Sequence, residues 1–204
     1  MFSHKGDDLL ARDLCFIDVE TTGTIFGYHE ILDIAALRTT PDATMVRGTW
    51  HRLIRPRHPE RLTPYARELN GYTPELWASA EESTERLWNE FVAFVKGSVP
   101  VCHNPSFDRA FTTLAAAEHN IFELGLDYHW IGTESLAWPL YRQGVLPNLS
   151  LKSLCSFFDV GSEPRPHAAL GGALACWRLY LALMGRLLQP IGIDVPAYRH
   201  PNSP

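Results

Sequence analysis

An apolar run over residues 14–20 ends in two acids, Asp18 and Glu20, spaced two apart. Seven residues rich in β-branched and aromatic side chains read as a strand, and a strand sends side chains i and i+2 to the same face. The run is too apolar for a solvated edge, so it belongs inside a sheet with both acids delivered to one face at its carboxyl end. Paired carboxylates there offer the oxygen ligands that Mg²⁺ and Mn²⁺ prefer. Solvated acids at a strand end are the bland alternative.

The following segments say what kind of sheet this is. Residues 31–38 and 50–55 are two further strand candidates, separated by the turn-forming Thr39-Thr40-Pro41-Asp42, and predict an antiparallel meander. Thr63-Pro64 opens a short helix that stops at Asn70-Gly71, and apolar positions 87, 91, 94 and 95 recur at helical spacing over residues 83–96. Residues 98–103 form a short strand ending in His103-Asn104, and residues 107–117 continue as a helix with Asn104 or Ser106 near its cap. Strand, polar junction and helix is how open α/β sheets build a site. Residues 129–133 give a weak fifth strand, residues 135–141 and 149–158 two helices, and residues 168–188 a last long one. The expected fold is therefore α/β, a mixed five-stranded sheet flanked by helices, with Asp18 on a central strand. We expect one domain over residues 1–189 and a peripheral proline-rich tail over 190–204.

Net charge is −5, from 18 basic and 23 acidic residues, which argues against binding nucleic acid by bulk electrostatics but not against a local grip. No apolar run approaches the roughly 20 residues that span a bilayer, and residues 1–12 lack a secretory pattern, so a cytoplasmic protein away from membranes is expected. Cys15, Cys102, Cys155 and Cys176 are widely spaced and read as buried free thiols. Arginines 55, 57, 61 and 67 read as a solvated loop face rather than a phosphate site, and His4, His29, His51, His58, His119, His129 and His200 show no ligand spacing.

A third acid, Asp108, follows His103-Asn104 at a helix start, and His167 precedes the final helix. With these in place, FIDVETTG, VCHNPSFD and PHAALGGALA resemble the three sequence motifs of the DEDDh, DnaQ-like 3′→5′ exonucleases, and ELNGYT and LYRQGVLPNLSLKSLCSFFDV extend the similarity over about residues 12–184. The resemblance implies an RNase H-like fold and hydrolysis of the terminal phosphodiester at 3′ ends of single-stranded nucleic acid with two Mg²⁺ or Mn²⁺ ions. It implies metal-binding roles for Asp18, Glu20 and Asp108 and a general-base role for His167. It also implies contacts to the terminal nucleotides from Thr21, Thr22, Gly23, Tyr72, His103, Asn104 and Phe107, where the two aromatic rings are either stacking platforms or core. Some relatives form dimers; the sequence leaves monomer and homodimer open, and DNA and RNA alike.

One position departs from the family pattern. Five residues after His167 the family places an aspartate, and this chain has Gly172 beside Gly171. The expectation is a weakened metal site and slowed hydrolysis, with Asp159, Glu163, Glu30 and Asp33 as conceivable substitutes. If the site is only one ligand short, Gly172→Asp raises activity and metal affinity together. The rival reading is a catalytically silent module on the same fold that binds nucleic-acid ends or a protein partner. A small-molecule phosphodiesterase is a third.

Overall fold

A computed structural model describes residues 8–161 and 168–187. Strands β1 (Leu14–Thr21), β2 (Ile31–Thr39) and β3 (Val46–Arg55) form the expected antiparallel meander, and β5 (Val99–Cys102) and β6 (Ile131–Gly132) add to it in parallel. A sixth strand, β4 (Glu81–Glu82), pairs with Ile54 and Arg55 at the far edge, giving the order β4-β3-β2-β1-β5-β6. Two glutamates carry no strand signal, so this pairing was illegible in sequence; ion pairs from Arg52 to Glu81 and from Arg55 to Glu82 hold that edge.

The helices are α1 (Pro64–Asn70), α2 (Glu85–Val95), α3 (Pro105–Ala117), α4 (Thr133–Arg142), α5 (Leu151–Phe157) and α6 (Ala169–Leu187). Thr63, Thr84 and Ser150 cap α1, α2 and α5 by accepting a backbone N–H, and Gly71 ends α1 in the left-handed conformation that glycine tolerates.

Alternation along β1 divides the core. Cys15, Ile17 and Val19 pack with Trp88, Phe91 and Phe111 from α2 and α3, whereas Leu14 and Phe16 pack with Ala169, Ala173 and Cys176 of α6. Those small residues let α6 lie close on the sheet, and its next stripe, Ala175, Leu179 and Leu183, joins Ala137, Leu154 and Cys155 from α4 and α5. Each large side chain fully buried this way contributes roughly 1.5–3 kcal/mol. Because Asp18 and Glu20 continue the even-numbered set, they belong to the face that α6 covers. All four cysteines are free and buried, and among the described residues no helix is long and apolar enough to cross a membrane.

Candidate active site

Strand β5 pairs with β1 only as far as Phe16, so the backbone of β1 beyond it has no strand neighbour on that side. Asp108, in the first turn of α3, takes that place: its Oδ1 accepts from the Val19 N–H at 3.2 Å, between the two acids of β1. Asp108 is buried, and burial pushes its carboxyl up to about 7, against the lowering effect of the Val19 N–H and the Cys102 thiol. A buried acid so poorly compensated is the condition a cation would relieve. Asp18, Glu20 and Asp108 have the oxygen chemistry that a divalent ion takes. Among the described residues, however, no three acidic, histidine or cysteine side chains converge tightly enough to hold one.

Gly172 lies directly against Asp18. Helix α6 comes so close to β1 here that a Cβ at position 172 would stand 2.4 Å from Oδ2 and 2.6 Å from Cγ of Asp18. The Asp18 carboxylate fills the volume that a side chain at 172 would need. Two of the suggested substitutes are committed elsewhere. Asp33 accepts from His51 Nε2 at 2.7 Å and from the Ala169 N–H at 3.0 Å, while Glu30 accepts from the His58 N–H at 2.8 Å and pairs with Arg57. Asp159 is exposed at the end of α5. Glu163 and His167 lie outside the described residues, as does the expected boundary at 189 and 190.

Beside Glu20 opens a cavity of about 390 Å³ lined by Glu20, Thr21, Gly23, Tyr65, Asn70 and Phe107, among others. Its floor is a hydrogen-bonded loop. Thr21 Oγ1 donates to the Gly23 carbonyl at 2.6 Å, Asn70 Nδ2 donates to the Thr21 carbonyl at 2.9 Å, and the Thr22 hydroxyl and backbone are used within the loop and by Thr63. Gly23 is required by packing, since a Cβ there would meet the His29 ring at 2.5 Å. Phe107 is half-buried against Phe111 and Phe26, with one side toward the cavity.

Two of the expected contact residues sit differently. Tyr72 packs on Trp77 within the Leu32, Leu62 and Ala66 cluster and is only 8% exposed, so its ring is core. The exposed aromatic on this side is Tyr65, 70% exposed on α1, which sequence reasoning missed because a lone aromatic in a short helix carries no distinguishing pattern. His103 uses both ring nitrogens internally, with Thr133 Oγ1 and the Leu149 carbonyl each at 2.9 Å, and its burial lowers its pKa. Asn104 stands exposed at the start of α3 and accepts from Ser106. Arg55, Arg57 and Arg61 are engaged with Ala78 and Ala80 carbonyls, with Glu30 and Glu118, and with the Tyr28 ring and carbonyl respectively.

A mixed sheet with acids at the carboxyl end of its central strand, a third acid from the next strand–helix junction and a cleft beside them is the architecture of the RNase H-like class. The family model described as "Exonuclease", of the RNase T type, matches residues 15–180, and the chain belongs to that family. Among curated proteins it is similar to the PolC-type DNA polymerase III of Halalkalibacterium halodurans, 33% identical over 74% of this chain and 10% of that protein. The PolC-type polymerase of Thermotoga maritima is 29% identical over 92% of this chain and 13% of that protein. The chain thus spans about a tenth of the length of these relatives. Among solved structures, Escherichia coli exonuclease I in complex with a dT13 oligonucleotide superposes with TM-score 0.73 at 17% identity, over 88% of this chain and 42% of that one. The nuclease domain of 3′hExo, a DEDDh family member bound to rAMP, superposes with TM-score 0.69 at 15% identity over 88% and 95% of the two chains.

Proposed function

We propose that the chain is a metal-dependent 3′→5′ exonuclease acting on single-stranded DNA or RNA, slowed by the glycine at position 172. The observation that carries the reading is the tether of Asp108 to the Val19 N–H, which brings the third acid to the backbone between Asp18 and Glu20 and next to the cleft. These three carboxylates would hold Mg²⁺ or Mn²⁺. A divalent ion bound there would supply a nucleophile at neutral pH and stabilise developing charge on the phosphate. The chain's own residues do the rest. Tyr65 and Phe107 stack on the terminal bases, and the backbone of residues 21–23, fixed by Asn70 and Thr22, lines the seat of the last nucleotide. Asn104 faces the strand from the start of α3, and His103 keeps the strand–helix junction in place. His167, in its family role, takes the proton from the attacking water. The oligonucleotide on exonuclease I and the ribonucleotide on 3′hExo support both strand chemistries as substrates.

Strands of DNA and of RNA labelled at the 5′ end, incubated with Mn²⁺ and then Mg²⁺, should shorten stepwise from the 3′ end, and Asp18→Ala should abolish this. No shortening at high protein concentration, with Asp18→Ala indistinguishable, would leave the silent end-binding module. Gly172 is the observation that favours that second reading.

A further inference from the structure

Among the described residues, the cap at the start of helix α6 comes from another element. Ala168 precedes its first residue and offers no acceptor, yet the Ala169 N–H is buried. The acceptor comes from the sheet: Asp33 Oδ2 takes this N–H at 3.0 Å, and Asp33 Oδ1 takes the His51 Nε2–H at 2.7 Å. Asp33 is 4% exposed and stands opposite Glu20 in the β1–β2 register, while His51 shares a row with Ala35 and Asp18 across three strands. All of them are on the face that α6 covers. From Ala169 to Gly172 is just under one helical turn, about 4.5 Å of rise. Asp33 thus fixes one end of the turn whose other end presses on Asp18.

We propose that Asp33, held by His51, is a positioning residue for the metal-binding pair: it caps α6 from the neighbouring strand and so sets how Gly172 seats against Asp18. The inference rests on the reading above only in taking Asp18 and Glu20 as ion ligands. Both oxygens of Asp33 are engaged in this clamp, one with His51 and one with Ala169. Its carboxylate also meets the positive end of the helix, which favours a charged cap over a neutral one.

The fold supplies its own control. Asp127 forms a similar buried pair with His129 and Arg12, each at 2.7 Å, beside the start of β5 and so at the opposite end of the strands from the acids. The full chain is titrated with Mn²⁺, free ion being followed by electron paramagnetic resonance, while thermal unfolding and strand hydrolysis are measured in parallel. Asp33→Ala should weaken Mn²⁺ binding roughly tenfold or more and lower kcat with KM for the strand little changed. Asp33→Asn, whose amide oxygen still accepts the Ala169 N–H, should recover most of the loss. Should Asp33→Ala not fold, His51→Ala, which removes a half-exposed ring, should weaken Mn²⁺ binding severalfold. Asp127→Ala should lower Tm and leave Mn²⁺ affinity within about twofold. Equal Mn²⁺ affinity in wild type and both site variants would overturn the proposal, as would a wild type that takes up no Mn²⁺. Normal Mn²⁺ binding without strand hydrolysis would instead sink the exonuclease reading and leave the clamp standing.

Discussion

Gly172 and Asp18 share one volume. The carboxylate of Asp18 lies where the first side-chain atom of any other residue at 172 would go, 2.4 Å from that point at its nearest. The missing family aspartate is therefore not an empty slot, because helix and acid have closed on each other.

This relationship reverses the simple expectation for Gly172→Asp. Either Gly172→Asp or Gly172→Ala must displace Asp18 or lift α6, at a cost of roughly 1–3 kcal/mol that exceeds the gain of about 1 kcal/mol from replacing a helical glycine. Both variants should lower Mn²⁺ affinity and hydrolysis. Gly185→Ala, where an added Cβ meets nothing within 4 Å, should raise Tm and leave activity alone. A joint rise in metal affinity and activity for Gly172→Asp would show that Asp18 swings clear and refute the prediction.

Asp108 sets function against stability. Its folded pKa is raised, from 3.8 to about 7, so the protein binds an extra proton on folding between those values. The stability this gives is fully present below pH 4 and is lost as pH rises through about 7. Above that, in the presence of a chelator, Asp108→Asn should be the more stable protein by roughly 1–2 kcal/mol, because the amide keeps the acceptor for Val19 and carries no buried charge. Its hydrolysis should be lost. Thermal unfolding from pH 4 to pH 8 checks this: the advantage of Asp108→Asn must grow over that interval.

The cleft wall makes a third prediction. Tyr65→Ala and Phe107→Ala should each raise KM for single strands by roughly five- to a hundredfold through loss of base stacking, with a smaller effect on kcat. Tyr72→Phe, in the core, should leave both constants near wild type. Hydrolysis of a short labelled oligomer at several concentrations separates these outcomes, and an unchanged KM for Tyr65→Ala removes it from the site.

Local physics made much of this protein legible. The period-two run into Asp18 and Glu20 fixed a central strand and one face for both acids, and the Thr63-Pro64 and Gly71 signals fixed α1. The strand–polar–helix junction located Asp108. Those features depend on neighbours a few residues apart, which is the range over which a sequence pattern carries information. What the chain order could not convey was contact between segments far apart. That Asp33 caps α6 across 136 positions, that Tyr72 turns inward while Tyr65 turns out, and that Gly172 and Asp18 occupy one space follow from how closely a helix of small residues settles on a sheet. Packing distance is a property of the assembled layers, so only the tertiary structure decided it.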